Sequence, residues 1–138
     1  MKDKIILLET NIDDCSGEAL GYTLDKLFEA GVKDAWYSPI FMKKSRPAYS
    51  LSVMVKSEQE EAAVNIIFRH TTAVGMRRQE LDRIIMDREP TTIDTAYGPV
   101  KANKFTYGDV EKICPEYEDM KKLADENDES ILSFIHRT

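Results

Sequence analysis

The hydrophobic period of this chain switches repeatedly between two residues and 3.6 before residue 90, and the order of those switches narrows the fold more than any motif. Residues 4 to 12 begin with "IILL", a continuous apolar run of the kind a central strand carries. In "SGEALGYTLDKLFEAG" the period becomes helical, with Leu20, Leu24, Leu27 and Phe28 on one face. Gly31 stands where a left-handed C-terminal cap would end that helix. "VKDAWYSPIFMKK" is read as a strand, its Pro39 pointing to an edge or a bulge. After the turn "SRP", "AYSLSVMVK" sets Tyr49, Leu51, Val53 and Val55 against Ser50 and Ser52, a half-buried strand. Ser57 and Glu60 have capping-box spacing and announce a second helix with Ala63, Ile66, Ile67 and His70 on one face. Residues 76 to 87 alternate again, as one long charged strand.

Strand, helix, strand, strand, helix, strand is the order of a ferredoxin-like βαββαβ core, an α+β fold with two helices on one face of an antiparallel sheet. Beyond it, "TTIDTAYGPVKANKFT" is expected to form a hairpin turning at Tyr97–Gly98–Pro99. Residues 115 to 125, with Pro115 in the first turn, and 129 to 136 are expected to be helices. Tyr117 and Met120 are the residues expected to dock the first of them. The expectation is a single domain over 1–138, its core about 1–90 and its hairpin and helical extension about 91–138.

Charge and cysteine usage exclude some functions. A net charge of −6 argues against general binding to nucleic-acid backbones. No segment approaches the ~18 apolar residues that span a bilayer, and "MKDKIILLE" is too soon interrupted for a signal peptide, so no membrane and a cytoplasmic location are expected. Cys15 and Cys114 are read as free thiols. His70, on an apolar helix face, and His136, near the end, have no partner at metal-ligand spacing.

Three clusters carry chemistry. Asp13 and Asp14 follow the first strand directly. They suit the positive end of the next helix, and equally a Mg²⁺ or Mn²⁺ ion, which prefers oxygen donors; composition leaves both open, and Ser16 would serve as the cap instead. "MKKSRP" packs Lys43, Lys44 and Arg46 into one tight turn, either solvated or joined by an anion. "FRHTTAVGMRRQE" offers Arg69, Thr71, Thr72, Arg77 and Arg78 at a helix-to-strand turn, where hydroxyls and guanidinium groups suit phosphate oxygens. No glycine-rich phosphate motif is present. In the ferredoxin-like order these turns can gather at one end of the sheet, where a metal bridging carboxylate and polyphosphate would fit a nucleoside triphosphate.

The blocks "LETNIDD", "GEALGY", "LFEAGVKDAWYSPIFMKKSRP", "FRHTTAVGMRRQELDR", "YGPVKANKF" and "PEYEDMKKLA" run in order through almost the whole chain. Together they resemble the C-terminal half of the LarC family. The resemblance implies the nucleotide-binding part of a CTP-dependent cyclometallase, using CTP with Mn²⁺ or Mg²⁺. Such proteins insert Ni²⁺ into pyridinium-3,5-bisthiocarboxylic acid mononucleotide, forming one nickel–carbon and two nickel–sulfur bonds, to give the nickel-pincer cofactor of lactate racemase. It also implies a trimer or hexamer, an N-terminal half of the same protein that is often rich in histidine, and activation of the pincer substrate by nucleotide cleavage or nucleotidyl transfer. Carried onto these residues, it gives Asp13 and Asp14 the metal, and Lys43, Lys44, Arg46, Thr71, Thr72, Arg77 and Arg78 the phosphates. Catalytic residues stay unassigned. Family members often carry another residue where this chain has Cys15, so that thiol receives no role. The competing expectation is a non-catalytic ferredoxin-like module for oligomerisation or small-ligand binding.

Overall fold

β1 (Lys2–Ile12) lies inside a four-stranded sheet, as its apolar start requires: Ile6, Leu8 and Ile12 are buried on one face, and Ile5 is buried as well. The computed structural model describes residues 2–135 and divides them at Arg83/Ile84 into two compact units. In the first, β1 is followed by α1 (Gly17–Glu29), β2 (Asp34–Met42), β3 (Arg46–Val55), α2 (Ser57–His70) and β4 (Arg77–Ile84). The strand order is β2-β3-β1-β4. β3 is antiparallel to both neighbours, with Ile12 opposite Tyr49 on one side and Met42 opposite Arg46 on the other. β2, with its Pro39, is an edge strand.

The helices and one sheet face share a core of Ile6, Leu8, Leu51, Val53, Leu20, Leu27, Ala63 and Ile67. Phe28, expected on the packed face of α1, is half exposed, while Thr23 is fully buried and donates its hydroxyl to the Ala19 carbonyl at 2.7 Å. That hydroxyl can be buried because it bonds within its own helix. Gly31 follows α1 with φ +87°, beyond the comfortable range of other residues.

The Ser57/Glu60 capping box does not form. Ser57 is already helical, Lys56 holds the cap position without a side-chain bond, and the Glu60 carboxylate is taken by Arg78. The Arg78 guanidinium offers that carboxylate two donors and a full positive charge, where a backbone N–H would offer one neutral donor. At the opposite end of the sheet from the loops discussed below, Asp3 accepts from Arg83 Nε at 2.9 Å and Nη2 at 2.7 Å, and from Lys56 Nζ at 2.5 Å. One carboxylate thereby ties β1, the end of β3 and β4.

The long strand expected over 76–87 is two strands, β4 and β5 (Asp87–Thr95), interrupted at Ile85 and Met86. The alternation lapses there into three consecutive apolar residues, Ile84, Ile85 and Met86, with no glycine or proline to mark a turn. In the second unit, β5, β6 (Gly98–Tyr107) and β7 (Val110–Pro115) form an antiparallel sheet in chain order, a third strand beyond the expected hairpin. Gly98 and Gly108, both with positive φ, make the tight turns. Pro115 ends β7 rather than opening a helix; α3 (Tyr117–Glu126) starts after Glu116. Its Met120 and Ala124 pack with Val100 and with Phe134 of α4 (Leu132–Ile135), whereas Tyr117 stays exposed. His136 lies outside the described residues.

Candidate functional site

The acid pair lies in the loop between β1 and α1, and neither aspartate caps the helix. Ser16 does, accepting from the Ala19 N–H at 3.1 Å. Both carboxylates are turned instead to residues far away in sequence. Asp13 Oδ2 stands 3.6 Å from Arg46 Nη1, with both side chains substantially exposed. Asp14 Oδ1 accepts the Thr72 hydroxyl at 2.5 Å. The loop after β1, the hairpin tip between β2 and β3, and the loop after α2 therefore meet at one end of the sheet. The Thr10 hydroxyl secures the third loop by donating to the Gly75 carbonyl at 2.8 Å.

The hairpin tip is held in a conformation its residues resist. Lys44 has φ 61° and ψ 26°, and Ser45 has φ 56°. For a side chain with a Cβ the left-handed region costs about 1–2 kcal/mol per residue. An exposed ion pair such as Asp13–Arg46 returns at most about 1 kcal/mol. That ion pair does not repay the cost. Strain of this kind persists where the backbone must present something, and this turn presents Lys43, Lys44 and Arg46 together.

The remaining cations and hydroxyls divide. Arg77 reaches across to β1, donating from Nη2 to Asn11 Oδ1 at 3.3 Å, two residues before Asp13. Arg78, one residue on, falls on the opposite face of β4 and is committed to Glu60 on α2 and to Glu80, whose carboxylate accepts at 3.1 Å. These acids hold the Arg78 proton more firmly than usual, and Arg78 in turn depresses the Glu60 pKa. Thr71 closes α2, donating to the Ile67 carbonyl at 2.7 Å and accepting from the Ala73 N–H at 3.1 Å. Asp13, Asp14, Arg46 and Thr72 are therefore brought together, Lys43 and Lys44 share the turn of Arg46, and Arg77 stands at Asn11. Arg78 and Thr71 are occupied elsewhere. Sequence reasoning missed Asn11 and gave Glu60 a capping role in place of its pairing with Arg78; neither pairing has a sequence signal, because the partners lie 66 and 18 residues away.

The donor set fits a hard cation only in part. Among the described residues no group of three or more His, Cys, Asp or Glu side chains is placed to share a metal. Two adjacent carboxylates beside cations do fit a Mg²⁺- or Mn²⁺-type ion, which keeps waters and takes further oxygens from phosphates. A cavity of about 230 Å³ adjoins them, lined by Asp13, Cys15, Pro39, Phe41, Pro47 and Tyr49 among others. A larger one of about 620 Å³ lies in the second unit, but its lining holds Lys112 against Asp94 and Glu111, a poor match for a polyanion. Both cysteines are free thiols, and among the described residues no helix is long and apolar enough to cross a membrane.

A mixed α/β chain with antiparallel sheets and this loop cluster matches a known family model, "Nickel insertion protein", over residues 1–134. The chain belongs to the nickel insertion protein family. Within it, the chain corresponds to the C-terminal LarC domain. It is similar to the solved structure of LarC2, described as the C-terminal domain of a cyclometallase involved in synthesis of the NPN cofactor of lactate racemase. That likeness has a TM-score of 0.89 and 37% identity over 98% of this chain and 94% of that one. The pyridinium-3,5-bisthiocarboxylic acid mononucleotide nickel insertion proteins of Alkaliphilus metalliredigens and Lactiplantibacillus plantarum are 46% and 41% identical over 87% and 88% of this chain. The chain spans only 28% and 29% of their lengths. A protein of Methanopyrus kandleri shares the fold, with a TM-score of 0.65 at 20% identity.

Proposed function

We propose that this chain is the CTP-binding domain, over its whole length, of a protein that inserts Ni²⁺ into pyridinium-3,5-bisthiocarboxylic acid mononucleotide. The observation that carries the reading is the approach of Asp13 to Arg46, which sets an acid pair against a strained cationic turn. The names and extents of the relatives supply the larger reaction, with nickel and the pincer mononucleotide as substrates and the rest of the longer protein as partner. The strand order β2-β3-β1-β4, with both helices on one face, supports the ferredoxin-like assignment.

In this reading Asp13 and Asp14 hold Mn²⁺ or Mg²⁺, and Lys43, Lys44, Arg46 and Arg77 neutralise the phosphates, with Thr72 donating a hydrogen bond. Held by Asp13 and Asp14, a divalent ion would supply positive charge to offset that of the phosphates. Lys43 and Lys44 act as mobile point charges, whereas Arg46 offers a planar fork that can exchange its exposed carboxylate partner for a phosphate. Arg78 and Thr71 serve as supports: one fixes β4 to α2, the other closes α2 where Thr72 begins. The complete reaction is a CTP-dependent lyase-class metalation in the cytoplasm, by a homo-oligomer of trimer or hexamer size.

Calorimetric titration of the chain with CTP, ATP and UTP, with and without Mn²⁺, tests this. Binding that needs the metal and prefers CTP is the expected result. A folded oligomer silent to all three nucleotides would leave only a non-catalytic module.

A further inference from the structure

The three strands of the second unit sort their charges by face. β5, β6 and β7 pair in continuous register, so their residues alternate between the two sides of the sheet. The side that carries Ile93 and Val100 packs against α3 and α4. Asp87, Glu89 and Glu111 belong to that side, and with them Lys104, which stands opposite Ile113 and Glu89 in register and 3.4 Å from the Glu111 carboxylate. The other side takes Arg88 from β5, Lys101 from β6 and Lys112 from β7, all exposed. Asp94, at one corner, is the acid that the described strand residues leave on that side. Among the described residues none of the three cations has an acid partner.

Register turns these cations into a frame. Arg88, Phe105 and Lys112 form one row across the sheet, a partly exposed phenyl ring between two cations. The outer strands lie two spacings apart, which separates the Cα atoms of Arg88 and Lys112 by about 10 Å. Arg88 is steadied by Asn103, whose Oδ1 accepts from its Nε at 3.0 Å. Lys112, on an edge strand, also borders the larger cavity. Lys101 lies on the same face as Phe105, about 14 Å away along β6. Its backbone is pinned on both sides: the N–H donates to Asp119 Oδ2 at 2.9 Å, and the carbonyl accepts from the Glu116 N–H at 2.8 Å. The side chain is left to the open face.

We infer that this face holds the pincer mononucleotide substrate, with its pyridinium ring on Phe105, its two thiocarboxylates on Arg88 and Lys112, and its phosphate toward Lys101. The inference rests on the function proposed above and adds a place for the second substrate, apart from the loops given to CTP. The chemistry of that substrate sets its shape. A cationic ring is drawn to the face of an aromatic one. Acid groups at positions 3 and 5 flank the ring axis, as Arg88 and Lys112 flank β6. The ribose phosphate leaves the ring nitrogen along that axis, as Lys101 lies along the strand. On a chain of net charge −6, a ligand with this many anionic groups requires a face whose acids have been turned away.

The test is calorimetric titration with the pincer mononucleotide and, separately, with CTP and Mn²⁺, on the unaltered chain and on four variants. Arg88→Gln and Lys112→Gln each remove one exposed cation from the frame, and each should weaken pincer mononucleotide binding about 10- to 150-fold, the usual range for a charge-assisted contact. Phe105→Leu keeps an apolar side chain but loses the aromatic face, and should cost about 2- to 30-fold. Lys104→Gln removes the same charge from the opposite face and should change the affinity less than about twofold, since that lysine already faces Glu111. CTP binding should be the same in all four. Pincer mononucleotide affinity untouched by Arg88→Gln and Lys112→Gln overturns the site. Equal losses from Lys104→Gln and Lys112→Gln reduce it to net charge and overturn it as well. A chain that binds CTP but not the pincer mononucleotide refutes this inference and leaves the nucleotide reading standing. A chain that binds neither removes both.

Discussion

Replacing Lys44 by glycine should make the protein more stable and its nucleotide binding worse. Lys44 sits at φ 61° and ψ 26°, where its Cβ costs about 1–2 kcal/mol. Glycine removes that cost but loses about 0.5–1 kcal/mol through the greater freedom of the unfolded chain. The net gain is about 0.5–1 kcal/mol. With unfolding entropy of about 2.1 cal/mol/K per residue, 1 kcal/mol corresponds to roughly 3–6 °C, depending on how much of the 138-residue chain melts together. Circular-dichroism melting should therefore show a rise of about 2–6 °C. The same substitution removes a cation, and losing one charge-assisted contact costs about 1.5–3 kcal/mol, or roughly 10- to 150-fold in affinity for CTP with Mn²⁺. Lys44→Ala separates the two effects, since it keeps the Cβ and loses the charge. It should bind as poorly as the glycine variant and melt within about 0.5 kcal/mol of the parent, the usual range for surface changes. If Lys44→Gly melts no higher than Lys44→Ala, the turn is not strained as described. If both bind CTP normally, the strain is not there to present that lysine.

Asp13→Asn combined with Asp14→Asn should weaken CTP binding chiefly when Mn²⁺ is supplied; equal loss without metal in calorimetry would mean a folding defect instead. Arg83 and Lys56 hold the Asp3 carboxyl far below the usual carboxylate range. Its stabilising contribution is complete at neutral pH and is lost as pH falls from about 4 toward the depressed folded value. Urea midpoints of Asp3→Asn should accordingly lie below the parent's at pH 7 and approach them in strong acid, and a constant offset would contradict this. Leu27 is fully enclosed, and Leu27→Ala should cost about 2–5 kcal/mol, whereas Phe28→Ala on the exposed side should cost far less; denaturant titration would show the order reversed if α1 were rotated from this packing.

Local signals were enough for most of the first unit. The continuous run before Ile12, the helical spacing of Leu20, Leu24 and Leu27, and the alternation through Val53 each report on neighbours within one element, and they name the elements correctly. Ser16 was legible as a cap because a cap bonds within four residues. The second unit was less legible: the strand from Val110 to Pro115 carries a lysine, a glutamate and a cysteine in its short length, with no clean alternation to mark it. The split of the predicted strand after Ile84 is marked only by the lapse of alternation at Ile84, Ile85 and Met86, with no glycine or proline to signal a turn.

The sequence by itself determined most elements of the first unit, that an acid pair follows the first strand, and that two cationic turns exist. It could not say which charges meet, because partners such as Asp13 with Arg46, Asp14 with Thr72, and Arg78 with Glu60 are far apart in sequence and are joined by strand pairing and helix packing. Neighbours on a strand point to opposite faces, so Arg77 and Arg78 look equivalent until β4 is seated beside β1. The same holds for the cavity beside Asp13, whose Phe41 side is built where the β2–β3 hairpin outruns β1. Periodicity is a property of a segment; register is a property of two.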